Sequence, residues 1–169
     1  VIALPGAADL RYLVIAPADQ LAALRTRFGY ALVEGSEDFW RLQSIRAGLP
    51  ELTREVSESV VPTMLNLEPL GGISYDKGCY PGQEVIARMH YRGQLKRRLY
   101  RAAIADDPPA PGTAVLDADD QEAGVVISAA AAGGGSELLA VLRIEKAGQT
   151  LSVATRTLEI LDLPYTPPH

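Results

Sequence analysis

From residue 95 onward the chain breaks into short apolar segments at roughly ten-residue spacing, and this rhythm constrains the fold more than any other feature. Residues 99–104, 113–116, 123–128, 138–144, 151–154 and 158–161 are rich in Val, Leu, Ile and Ala, and turns containing Pro, Gly and Asp separate them. Such spacing predicts an antiparallel barrel or sandwich of about six strands. The Ala- and Gly-rich stretch 129–135 reads as a flexible turn, and the Pro-rich end after Leu163 as a terminus. A domain of residues 95–169 is therefore expected, following one of residues 1–94.

The first region has a different grammar. Residues 11–16 form a continuous apolar run of the kind a buried strand shows. Pro17 suits the first turn of a following helix, in which Leu21, Leu24 and Phe28 recur at helical spacing before Gly29. Ser36 is placed to cap a second helix with Glu37 and Asp38 in its first turn, and Phe39, Leu42 and Ile45 as its inward stripe. Gly48 and Pro50 end it. Residues 51–60 read as a polar loop, Met64 as a core filler, and residues 71–76 as a strand. A helix opening at Pro81 should run to about Tyr91, with Val85 and Met89 inward, and stop at Gly93.

With 47% hydrophobic and 22% charged residues the composition is that of a globular protein, and no apolar run approaches the roughly 20 residues of a membrane-spanning helix. A cytoplasmic protein without membrane contact is expected. A single cysteine, Cys79, forms no internal disulfide and no cysteine-ligated metal site, and His90 and His169 lack ligand partners at metal spacing, so no metal is expected. The net charge of −5 conceals an asymmetry. Between residues 77 and 101 lie seven basic side chains against Glu84 alone, a local +6 that suggests an anionic partner.

Chemically suggestive residues crowd into one segment, Lys77-Gly78-Cys79-Tyr80-Pro81-Gly82-Gln83-Glu84. A thiol beside a cation and a helix N-terminus has its pKa lowered and gains nucleophilicity. Exposed N–H groups at the same turn could hold a carboxylate or phosphate. Two readings of Cys79 stand: a reactive thiol, or a small buried apolar side chain. Glu84 and Arg88 have the spacing of a surface ion pair. The run Lys96-Arg97-Arg98 would alternate faces if it enters a strand, and it lacks interleaved aromatics, so direct RNA binding is not expected.

The octapeptide 77–84, with Ala87-Arg88 and Arg92-Gly93, resembles the signature of YgfZ-type folate-binding proteins, relatives of the glycine cleavage T-protein (aminomethyltransferase). The resemblance also covers residues 47–50, 66–67 and 70–74. It implies an α+β fold with partial ferredoxin-like modules around a folate channel, closed by a C-terminal antiparallel β-barrel. The family's proteins are about twice as long, so the resemblance implies that the N-terminal half is missing. It further implies tetrahydrofolate as ligand and support of iron–sulfur enzymes or their assembly, including those that modify tRNA. Cys79 would be the reactive thiol and Lys77 its activator, with Gln83, Glu84, Arg88 and Arg92 lining one end of the channel. No turnover is assigned; a catalytic version would be a tetrahydrofolate-dependent aminomethyltransferase, and an RNA-binding module is the third reading. One departure is visible: Arg46 stands where the T-protein helix supplies a glutamate to the pteridine ring, and a cation cannot accept the ring's N–H donors.

Overall fold

Six strands close into an antiparallel barrel: β3 (Arg97–Ile104), β4 (Ala114–Leu116), β5 (Glu122–Ala132), β6 (Gly135–Arg143), β7 (Leu151–Val153) and β8 (Arg156–Leu161), in the order β3-β6-β5-β4-β7-β8. The structure is a computed structural model and describes residues 1–5 and 10–167, apart from the side chain of Arg92. Closure is made by β8 returning to β3, with Arg101 opposite Leu161, so every strand has two neighbours and no sheet edge is left open.

The continuous apolar reading of β6 has a packing reason. Leu138, Ala140 and Leu142 point into the barrel with Val126, Val115, Leu151 and Val153, whereas Leu139 and Val141 point outward into a second core with Ile45, Val56, Leu65 and Ile127. The strand is buried on both faces, so its apolar residues do not alternate with polar ones. A register shift between Val126 and Ser128 leaves Ile127 as the extra residue, placed in the outer core.

Before the barrel lie a two-stranded antiparallel sheet, β1 (Ile2–Leu4) and β2 (Arg11–Leu13), and three helices: α1 (Ala18–Phe28), α2 (Glu37–Arg46) and α3 (Gln83–Arg92). Short 3-10 turns occur at Arg54–Val56 and Pro62–Leu65. The helix boundaries follow the expected signals. Pro17 caps α1, Gly29 follows it at φ +49°, and the Ser36 hydroxyl accepts the Phe39 N–H at 3.1 Å to cap α2. α2 packs on the outer face of β5 and β6, with Ile45 fully buried between them.

Several expectations are corrected. The run 11–16 is not a buried strand: β2 ends at Leu13, and Tyr12, Leu13, Val14 and Ile15 are exposed, while Arg11 is buried and its Nη1 donates to the Ser44 hydroxyl of α2 at 3.2 Å. Phe39 lies on the surface, and only Leu42 and Ile45 of its stripe pack inward. Residues 71–76 form no strand. Gly71 and Gly72 donate to Glu68 and Leu67 in a tight turn, and among the described residues no neighbouring strand is present for them to pair with. Ile86, not Val85, is the buried residue of α3. Residues 129–132 belong to β5, so the flexible turn shrinks to Gly133 and Gly134. The loop 51–60 contributes Val56, fully buried, to the outer core. Gly6 and His169 lie outside the described residues.

Candidate functional site

Pro81 and Gly82 set the geometry of the signature segment. Gly82 takes φ +85°, a conformation glycine adopts without strain, and turns the chain into α3 directly after Cys79 and Tyr80. No side chain caps this helix; the Gln83 N–H reaches back to the Tyr80 carbonyl at 3.1 Å. The first turn therefore keeps N–H groups free of side-chain partners, as an anion-accepting helix end requires.

Cys79 is exposed, which removes the reading of a buried apolar cysteine. Lys77 sits with its ammonium 4.5 Å from the centre of the Tyr80 ring, a cation–π contact that fixes the ammonium against the residue next to the thiol. Gln83 is half-buried and Glu84 exposed. Glu84, Ala87, Arg88 and Tyr91 line one shallow hollow on α3. Glu84 and Arg88 share this hollow without an ion pair between them among the described residues, contrary to the spacing argument. The Arg92 side chain lies outside the described residues.

The basic island does not survive folding as one patch. Arg101 donates two hydrogen bonds to Glu137 at 2.7 and 3.0 Å, Arg97 pairs with Glu122 at 3.7 Å, and Arg98 lies over the Tyr100 ring at 4.9 Å. Arg46 is also committed: its Nε and Nη2 bond the other Glu137 oxygen at 3.0 and 2.8 Å. Burial alone would raise the Glu137 pKa, but the two guanidiniums outweigh it and hold the carboxyl below its ordinary value. Arg46 thus ties α2 to the barrel.

Sequence reasoning missed a cleft beside the signature helix. Glu68, Tyr75 and His90 converge there, with Thr63, Met89, Gly93 and Leu95 as the remaining walls. The Tyr75 hydroxyl donates to Glu68 Oε2 at 3.2 Å, and His90 Nδ1 lies 3.3 Å from Oε1. The Tyr75 and His90 rings stack at 4.1 Å, and Tyr91 meets His90 edge-on at 4.7 Å. Burial, followed by the Glu68 charge, pushes the Tyr75 pKa up to about 12, so its hydroxyl remains a donor. The only sequence signal was aromatic density around residues 75–91. The carboxylate that completes the cluster is 22 positions from His90 and lies in an aperiodic stretch.

An α+β region leading into a closed six-stranded barrel, with the thiol-bearing turn on the helix before the barrel, defines a protein of T-protein-like fold. The aminomethyltransferase T of the glycine cleavage system from Bartonella henselae matches it with TM-score 0.61 at 15% identity, covering 88% of this chain and 44% of that one. Residues 96–167 match the family described as the CAF17 C-terminal β-barrel domain. The tRNA-modifying protein YgfZ of Colwellia psychrerythraea is 43% identical over 90 residues, 53% of this chain and 27% of that protein. The protein of the same name from Aliivibrio fischeri is 35% identical over 108 residues, 63% and 34% of the two chains. The resemblance read from the sequence is borne out as similarity: the chain is similar to the YgfZ proteins, and its residues 96–167 match the CAF17-type barrel. It spans about a third or less of the length of these curated relatives.

Proposed function

We propose that this chain is the thiol-bearing and barrel portion of a folate-linked accessory protein of the YgfZ kind, which supports iron–sulfur enzymes acting in tRNA modification. The observation that carries this reading is the exposure of Cys79 at the turn into α3, within the segment that resembles the family signature. The name of the relatives, tRNA-modifying protein, supports the process in which it acts.

Folate fits the residues present. The carboxylates of its glutamyl tail are anions, and α3 offers uncapped first-turn N–H groups together with an exposed Arg88 on the same helix. Arg92, Gln83 and Glu84 belong to the same proposed channel end. Cys79 acts as a transient thiol contact with an iron–sulfur client, with Lys77 as the cation beside it. Aminomethyl transfer draws support only from the fold shared with the T-protein, and RNA binding through residues 96–101 is weakened by the acidic partners of Arg97 and Arg101.

Calorimetric titration with tetrahydrofolate tests the ligand. Saturable binding that Arg88→Ala weakens by about tenfold is expected for loss of one charge-assisted contact; no saturable binding sinks the folate reading.

A further inference from the structure

We infer that one end of the barrel, where β3 begins and β6 ends, is a binding site for the phosphate of a small phosphate monoester. The inference stands apart from the folate reading above and uses none of its residues.

The site is a cleft of about 600 Å³ whose walls include Leu95, Lys96, Arg97, Arg143, Ile144 and Glu145. That volume lies within the roughly 300–1,000 Å³ of pockets that hold small molecules. Strand register brings its charges together. Arg97 lies directly opposite Arg143, and the Ile144 N–H donates to the Lys96 carbonyl at 3.0 Å. Hydrogen-bonded and non-hydrogen-bonded pairs alternate along an antiparallel ladder, so Arg97 and Arg143 form a non-hydrogen-bonded pair, with Cα atoms about 4.5 Å apart and side chains at their closest. Two positions along each strand, Leu99 and Val141 face the outer core, so both arginines stand on the outer face of the barrel. Like charges placed directly opposite are destabilising, and Lys96 adds a third beside them.

Counter-charge within the chain is weak at this end. Arg101, on the same face of β3, is fully committed, donating to Glu137 at 2.7 and 3.0 Å. Arg97 reaches Glu122 only at 3.7 Å and Arg143 reaches Glu145 only at 4.0 Å, both beyond hydrogen-bond distance and both to exposed acids. Among the described residues Lys96 makes no ion pair. Glu122 and Glu145 can therefore turn to water when a stronger anion arrives. Two guanidinium forks and an ammonium offer more donors than the two oxygens of a carboxylate can use. A phosphate monoester brings three terminal oxygens and a charge of about −1.5 to −2, which answers the opposed arginines better than the single charge of a diester. The half-buried Leu95 and Ile144 give an apolar wall to the body that carries the phosphate.

The test titrates methyl phosphate, dimethyl phosphate and phenyl phosphate into the wild-type chain at constant ionic strength, followed by NMR shifts of the backbone amides of residues 95–97 and 143–145. At about pH 8 the monoesters carry close to two charges. Methyl phosphate should bind saturably, dimethyl phosphate at least about fivefold more weakly, and phenyl phosphate more tightly than methyl phosphate. Arg143→Ala should cost methyl phosphate at least about tenfold. Lys96→Ala, at an exposed position just before β3 where the fold does not depend on the side chain, should cost about threefold, the size of one exposed charge pair. The distant surface variant Arg25→Ala should change nothing. No saturable shift with methyl phosphate, equal affinity for monoester and diester, or full affinity in both Lys96→Ala and Arg143→Ala overturns the inference. Phenyl phosphate bound no more tightly than methyl phosphate overturns the apolar wall. An RNA oligonucleotide without terminal phosphates that outcompetes phenyl phosphate, and loses that advantage in Arg143→Ala, overturns the small monoester in favour of a nucleic-acid backbone.

Discussion

The segment before residue 40 is richer in apolar residues than the barrel, yet the two do opposite things with them. In the barrel, Leu99, Val126, Leu138, Leu142 and Val153 are all fully buried. In the N-terminal segment α1 buries no residue, and Ile15, Tyr30, Val33 and Phe39 are all exposed. The barrel closes on itself, so each strand supplies its neighbour with both hydrogen bonds and a packing surface. The two-stranded sheet and α1 have their local geometry, but among their described residues only Arg11 is buried, against α2. Local pattern therefore sets an element's type, while burial depends on what lies opposite.

This contrast can be broken at the barrel first. Leu139→Ala removes a fully buried side chain from the outer core and should cost about 2–5 kcal/mol, read as a lower denaturant midpoint at unchanged slope. A cost under about 1 kcal/mol would mean that the outer core is loose.

The link between the two regions comes next in size. Glu137→Gln removes the shared carboxylate of Arg46 and Arg101, and should cost about 1–3 kcal/mol, the lower part of the range reflecting the partial exposure of Arg46. The same carboxylate predicts a pH dependence. Its pKa is lower in the folded protein than in the unfolded chain, so its contribution is complete above the ordinary carboxylate value and fades as pH falls through the depressed folded value. Wild type should lose its advantage over Glu137→Gln in that acid window, whereas a constant difference across it would exclude the linkage.

Ile15→Ser should have the smallest effect. At 74% exposure, Ile15 should shift stability by no more than about 0.5 kcal/mol, and the variant should be more soluble. A loss comparable with Leu139→Ala would show that the N-terminal face is covered in solution and would collapse the contrast between the regions.

The site was legible where its signals are local. The thiol-bearing turn, the helix from Gln83 to Arg92 and the stop at Gly93 could be read from Pro, Gly and periodicity, since these residues act within one turn of themselves. The Val85 assignment failed because α3 is ten residues long with little packed around it, so the periodic argument was one position out. The supposed strand at 71–76 failed because a strand exists only with a partner.

Sequence alone determined the six-strand rhythm, the caps of α1 and α2 and the Pro-Gly turn that follows Cys79, all of which depend on interactions between near neighbours; the exposure of Cys79 was decided by the fold. Tertiary structure alone decided that Arg46 and Arg101 would spend their charge on Glu137 and not on a ligand, and that Glu68 would meet Tyr75 and His90. The physical reason is range: backbone conformation is settled over a few residues, but hydrogen bonds and ion pairs are settled by which side chains the closed barrel and its packed helices bring within about 3 Å, whatever their separation along the chain.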